Sequence, residues 1–474
     1  MSLPIDAKEI EVEIRAPESK PDLNRGVIFC LVSLTLLMMS ADSTIVATIL
    51  HTLQDDLDTS LSWAGWTITA YSFGFVIMLP ISGRLSEHFG RRRVFLYSVA
   101  IFSVASLLCG LTDNIYVLIA LRALQAVGGA GFTPSATGII VDYFGDARDR
   151  AVSLLGSIFP IGAMIGPILG GMFVSYWTWK AAFLVNVPVG IAILILGLRY
   201  IPRDTLDRER VRFTIDFLGM LLLSAALFAG MLAAIFLGEN TSGVSTPGFS
   251  VSLAVAVLAA LMFFRHINRS RHPFIEPRLI YGANFGAVNF INMIFTGVTI
   301  GAVALIPLYA ANRYGLGALD AGMLLVAEGI AALILSIASA MVLRHTGHRL
   351  PIYIGAVMIA IGTLGLGLSP MLGLSPYAWL ASSALLIGIG TGAINPASRN
   401  AGLQLAPSQS STLAAIRTLS LQMGSIAMVS ITTTVLVQGA DPGEMHAWVY
   451  LMAALLLIVC VPVVSRIPEH RGSW

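Results

Sequence analysis

The chain has 474 residues, of which 56% are hydrophobic and only 11% charged, with a net charge of +2 and a mean hydropathy of +0.82. A soluble domain carries about 25% charged residues, so this composition excludes one, and the small net charge leaves no electrostatic footprint for a nucleic-acid partner. Forty-five glycines in so apolar a chain point to helices packed closely inside a bilayer.

Residues 1–25 are polar and of mixed charge, unlike a signal peptide, and read as a cytoplasmic tail. Apolar runs near the roughly 20 residues that a bilayer core requires then follow one another. They fall near 26–50, 63–82, 94–111, 115–141, 151–176, 181–200, 216–238 and 249–268. Six more fall near 284–310, 320–343, 351–369, 377–402, 411–437 and 447–465, which makes an all-α polytopic membrane protein with fourteen transmembrane helices.

Basic residues set the orientation. One set of loops holds Arg84, Arg91 to Arg93, Arg148, Arg150, Arg203, Arg208, Arg210, Arg212, Arg269, Arg271, Arg278, Arg344 and Arg349; the opposite loops hold Lys180 and Arg313. Positive-inside bias of this strength puts both termini in the cytoplasm. The three lysines, Lys8, Lys20 and Lys180, do not follow glycine, so a Walker-type phosphate loop is absent and ATP is not an expected partner. Cys30, Cys109 and Cys460 lie in apolar segments, and neither they nor the eight histidines show metal-ligand spacing. No metal, cofactor or enzymatic chemistry is expected.

Polar residues inside the spans are the candidates for function, because each is expensive there. Asp42 lies in span 1, in ADSTIVATIL, and Arg122 in span 4, in LRALQAVGGA. A site that balances desolvation against a nearby cation lets a carboxylate titrate near neutrality; the alternative is a permanent structural Asp–Arg pair. Between spans 2 and 3, GRLSEHFGRRR runs from Gly83 to Arg93, with Gly83 and Gly90 at helix ends and Glu87 among basic residues. Arg91, Arg92 and Asp142 join Glu87 as charges that can hold an inner gate. Arg344 to Arg349, between spans 10 and 11, occupy the equivalent place if spans 7 and 8 are an insertion between two six-span halves.

In span 5, Gly162, Gly166 and Gly170 recur every four residues and, with Gly171, leave one face without bulk, while Pro167 removes a backbone donor and bends the helix. Trp177-Thr178-Trp179-Lys180 follows as an interfacial turn. Asp216 opens span 7, where the helix dipole favours an acid. Asn289 and Asn292 in span 9 and Asn395 in span 12 are polar groups at a cavity wall or in interhelical hydrogen bonds. Glu328 is the acid within span 10, a site for a cationic substrate or a second proton, and Arg417 in span 13 is a second deep cation that could pair with Glu328 or a lipid phosphate, a choice spacing does not make.

These stretches together resemble one family. GAMIGPILGG of span 5 resembles the antiporter motif of the major facilitator superfamily, and WTWKAAFLVNVPVG is similar to the turn that follows it in the fourteen-span drug:proton antiporter branch. GRLSEHFGRRR is similar to the inner-gate motif G-x-L-A-D-R-x-G-R-R, with Glu87 and His88 in place of aspartate and arginine. Asp42, Thr44, Ile45 and Val46 match the branch's span-1 motif, and Arg122 with Gln125 its proton-linked motif in span 4.

The resemblance implies the major facilitator fold, two six-helix bundles at 26–200 and 284–465, two inserted helices with cytoplasmic linkers at 201–283, and a cytoplasmic tail at 466–474. It implies proton-coupled export of small hydrophobic or cationic compounds by alternating access, without a cofactor, in a bacterial cytoplasmic (inner) membrane. Asp42 then carries the proton, Arg122 tunes it, Glu328 meets substrate or a second proton, and the span-5 glycines let the halves rock. Export of lipids or lipid-like molecules is the alternative from the same fold.

Overall fold

The computed structural model describes residues 24–59, 61–204, 216–239, 247–282, 284–371, 373–438, 441–467 and 469. The two tails and the linker with Arg208, Arg210 and Arg212 lie almost wholly outside the described residues. Among those described, fourteen helices are long and apolar enough to cross a membrane. Spans 1 to 6 are Arg25–Thr48, Trp63–Phe89, Arg91–Leu111, Ile115–Tyr143, Gly145–Tyr176 and Ala181–Tyr200. Spans 7 and 8 are Phe217–Leu237 and Pro247–Arg269. Spans 9 to 14 are Phe285–Ala304, Asp320–Thr346, Arg349–Gly367, Pro376–Leu405, Pro407–Leu436 and Pro442–Arg466.

Apolar side chains collect into two cores in the first bundle and one in the second. The first two centre on Phe95, Phe102 and Phe132 and on Trp179 and Phe183, the third on Phe295, Tyr309 and Tyr450. Span 13 also reaches the first core with Leu413, Ala415, Ile416 and Leu419, so the second bundle grips the first at that point. Spans 7 and 8 are peripheral: 11% of each is buried, against 67% of span 9. Span 7 touches span 2 through Phe228 and Phe73, whose ring centroids are 5.1 Å apart, and span 13 through the bond from Thr434 Oγ1 to Leu237 O.

The two bundles repeat one device. At the start of span 3 the free backbone NH groups of Arg92 and Arg93 donate to the Asp204 carboxylate, at 3.0 and 3.2 Å. At the start of span 11 those of His348 and Arg349 donate to Glu469, at 3.1 and 3.3 Å. Each acid lies just past its bundle's sixth helix, so it pins that helix to the start of the third and satisfies donors every helix leaves open. Gly90 and Gly347 precede them at φ +101° and +72°, which a side chain tolerates poorly. This repetition fits the equivalence of the two basic loops expected from sequence.

Asp216 has a comparable structural part. Its Oδ1 accepts from Gly219 N at 2.8 Å and faces His266 Nε2 at 2.7 Å, and its Oδ2 accepts from Phe274 N at 2.9 Å. It therefore clips the start of span 7 to the end of span 8. Burial pushes its pKa up, but the bonds from Gly219, Phe274 and His266 outweigh this, and the pKa is lowered.

The span-5 glycines have a sharper role than a generic packing face. A Cβ at Gly162 would sit 2.5 Å from Ser40 Cβ, one at Gly166 would overlap Thr44 Oγ1, and one at Gly170 would sit 3.0 Å from Thr48 Cβ. The face thus packs on span 1, inside the first bundle. It does not lie between the halves. Gly171 meets nothing within 4 Å and is not part of the face. Span 5 remains helical through Pro167, whose side chain lies outside the described residues. In the turn that follows, Trp177 is exposed as expected of an interfacial residue, whereas Trp179 is buried against Phe183 and Lys180 pairs with Asp113.

Candidate functional site

In the first bundle five spans converge on one carboxylate. Asp42 and Arg122 are each 1% exposed, and Arg122 Nη1 donates to Asp42 Oδ2 at 2.7 Å. Asp42 Oδ1 accepts from Asn186 Nδ2 at 2.8 Å and from Gln125 Nε2 at 3.1 Å. Gln125 also reaches Ser106 Oγ at 2.7 Å and accepts from Arg122 Nη1. The guanidinium lies 4.3 Å from the centroid of the Tyr71 ring, a cation–π contact, and its Nε points at Thr67 O. Spans 1, 2, 3, 4 and 6 are tied by this node. Because both oxygens of Asp42 are occupied by donors, the arrangement is a satisfied ion pair, the kind of buried charge an interior tolerates.

Asn186, Ser106 and Tyr71 were not legible as members of the node. Asn186 stood only as part of a turn motif, and a single serine or tyrosine in an apolar run carries no signal of its own.

The second bundle holds a different arrangement. Glu328 Oε1 accepts from Thr391 Oγ1 at 3.4 Å and has no ion pair among the described residues. Arg417 does not pair with it: its Nη2 donates to Asn395 Oδ1 at 2.7 Å. Thr391, Asn395 and Arg399 follow at i, i+4 and i+8, so span 12 carries an acid's partner, an amide and a cation along one face.

Arg399 is a residue that sequence reasoning missed. It lies inside the span expected near 377–402 and was not singled out there; the helix runs from Pro376 to Leu405 and the side chain is 6% exposed. Arg399 and Arg417 line one cleft with Asn289, Asn292 and, from the first bundle, Thr133 and Thr137. Asn289 spends its amide NH2 on Leu279 O and Ile280 O, and Asn292 donates to Val288 O at 2.9 Å. Asn292 also begins a π-helical turn, Asn292–Val298, a distortion often found at functional sites.

The gate candidates divide into two groups. Glu87 crosses between bundles, but its partners are Thr412 N and Oγ1, both at 2.8 Å, with Arg84 more distant at 3.8 Å. Ser86 meets Ser411 at 3.2 Å beside it, and a Cβ at Gly83 would lie 2.8 Å from Ala415 Cβ. Arg91 pairs with Asp142 at 2.5 Å and bonds Gly138 O within its own bundle, reaching across only to Ser408 O at 3.4 Å. Gly90 and Arg92 serve the Asp204 clip and do not cross. The contact between halves is thus chiefly a carboxylate on a helix-start NH and hydroxyl, not the charge pair expected. Asn400 to Ser153 Oγ at 2.7 Å, Ser157 to Ser336 at 3.0 Å and Arg344 to Asp146 O add further ties.

Fourteen membrane-length helices among the described residues, with polar and charged groups buried inside each bundle, define a polytopic membrane protein. The family model described as Major Facilitator Superfamily matches residues 32–429, and the chain belongs to that superfamily. It is 28% identical over 414 residues to the Multidrug resistance protein B homolog of Mycobacterium tuberculosis, covering 85% of this chain and 75% of that one. It is 27% identical over 460 residues to the Methylenomycin A resistance protein of Streptomyces coelicolor, covering 95% of each. The riboflavin transporter RibZ of Clostridioides difficile is 26% identical over 85% of this chain and 87% of its own.

Among solved structures the human organic anion transporter MFSD10 superimposes with a TM-score of 0.67 at 15% identity, over 93% of this chain and 99% of that one, which shows the fold alone. The chain is an integral membrane protein, and its bacterial relatives place it in a cytoplasmic membrane.

Proposed function

We propose that the chain exports small hydrophobic and cationic compounds in exchange for protons, by alternating access between its two bundles. The observation that carries the reading is Glu328: an intramembrane carboxylate that, among the described residues, has no cation partner and is bonded only to the Thr391 hydroxyl. Such a group can hold a proton or a cargo cation but not both at once, and that exclusion is what antiport requires. The membrane potential supplies about 2.3 kcal/mol per charge per 100 mV, so one proton per cycle supports appreciable accumulation.

Asp42 takes a different part in this reading from the one expected. Its carboxylate is fully occupied by Arg122, Gln125 and Asn186, so it braces the first bundle while Glu328 exchanges protons. The arginine-rich end faces the cytoplasm by the positive-inside rule. The Glu87–Thr412 and Ser86–Ser411 contacts then close the cytoplasmic side in the state described, and the cargo site opens inward when they part.

The test uses purified protein in liposomes with an imposed pH gradient and ethidium as the cargo. Ethidium movement that follows the gradient and stops when a protonophore collapses it supports the reading. Movement that ignores the gradient, or none from a folded protein, overturns it.

A further inference from the structure

We infer that the cleft between span 4 and spans 9, 12 and 13 binds an anionic group, a carboxylate or a phosphate, through Arg399 and Arg417. The inference rests on the export reading and deepens it, because it adds an acidic group to the chemistry of the cargo.

Arg399 is 6% exposed and Arg417 8%, yet Arg399 has no hydrogen bond or ion pair among the described residues. Arg399 Nη1 and Arg417 Nε are both buried without a partner. The bond that Arg417 does make, to Asn395 Oδ1, goes to a neutral acceptor and leaves its charge uncancelled. The cleft is lined by fourteen residues that include no aspartate or glutamate.

Two guanidinium groups therefore face one cavity with no acid among the described residues to neutralise them. A guanidinium does not lose its proton in a protein, so deprotonation gives no escape. Buried charges are otherwise paired, and what remains is an anion from outside the chain. The planar fork of donors on each arginine matches a carboxylate or phosphate. From the opposite wall, in the other bundle, Thr133 adds a buried hydroxyl without a partner. An anion held here would touch both bundles and so bear on how they move.

Span 12 relates this cleft to Glu328. Arg399 stands eight residues beyond Thr391, which bonds Glu328 from span 10, so Thr391 and Arg399 are about 12 Å apart along span 12. A cargo with an acidic group at one end and a cationic or apolar body can meet both Glu328 and the arginines.

The experiment measures thermal unfolding of the full chain in an uncharged detergent, titrated with decanoate, decyl phosphate or decanol. No gradient is involved, so the result is independent of whether transport is proton-coupled. Decanoate and decyl phosphate should raise the unfolding temperature of the wild type, and decanol should not. Arg399→Gln should weaken both anions at least about tenfold, as expected for loss of a charged hydrogen bond, whereas Arg399→Lys should keep part of the effect. Without ligand, Arg399→Gln should unfold at the same or a higher temperature, because it removes an unpaired buried charge.

Equal shifts from decanol and decanoate, or an undiminished anion shift in Arg399→Gln, would overturn the inference. So would a lower unfolding temperature of unliganded Arg399→Gln with no anion shift in Arg399→Lys, since both point to a purely structural arginine. The source of the anion is read by native mass spectrometry. Phosphatidylglycerol retained by wild type and lost in Arg399→Gln identifies a lipid headgroup; anion binding with no retained phospholipid identifies the acidic group of a soluble cargo.

Discussion

Asp42 and Arg122 stand 80 positions apart in the chain and meet at 2.7 Å in the interior of the first bundle. Neither can be understood alone. The arginine is what makes a buried aspartate tolerable, and the amides of Gln125 and Asn186 complete its coordination. Removing one partner leaves the other as an uncompensated charge, which typically costs about 3–5 kcal/mol. Asp42→Asn should therefore lower the thermal unfolding temperature markedly and reduce the yield of folded protein. Replacing both, as Asp42→Leu with Arg122→Met, should cost much less than either single change. A double-mutant cycle in unfolding temperature checks this, and simple additivity of the two single effects would count against the node as a unit.

The contact of span 5 with span 1 makes a positional prediction. Gly166→Val places atoms against Thr44 and the Ala41 carbonyl and should destabilise by about 1–3 kcal/mol, the usual range for overpacking. Gly171→Val, five residues on, meets open space and should be nearly neutral. Folded yield and unfolding temperature of the two variants compare them directly.

The matched carboxylates past the two bundles give a second pair. Asp204→Ala and Glu469→Ala each remove a cap from two backbone NH groups, worth about 0.5–2 kcal/mol. Their effects on unfolding should be similar and additive, since they sit in different bundles. A large effect from one and none from the other would mean that the repeat is only geometric.

Asp216 predicts a pH dependence. Its folded pKa lies below its unfolded value of about 3.9. Its contribution is therefore fully present above that value and is lost as pH falls through the folded pKa. Asp216→Asn should lower the unfolding temperature at neutral pH, and the gap to wild type should close in acid. A gap that stays constant across the titration would show that the carboxylate's charge is not what holds spans 7 and 8 together.

The spans were legible because bilayer thickness imposes their length and apolar character, and the fourteen expected runs fall on the fourteen observed helices. Asp42 and Arg122 could be matched because charge inside an apolar run stands out. Their neighbours could not: Asn186 and Ser106 are ordinary polar residues in a membrane helix until four other spans bring them to one point. Arg417 was legible as a deep cation, but its partner was not, because Asn395 and Glu328 lie on different helices and only packing chooses between them. Arg399 was missed because its burial comes from packing against spans 4, 9 and 13, which spacing along span 12 does not reveal.

The most direct test of the central claim follows proton release from liposomes when cargo is added, comparing wild type with Glu328→Gln and Asp42→Asn. The account predicts that ethidium evokes proton movement in wild type and none in a folded Glu328→Gln. The Asp42→Asn protein that does fold should still couple cargo to protons. Coupling that survives Glu328→Gln and disappears in folded Asp42→Asn would contradict it and return the proton to span 1.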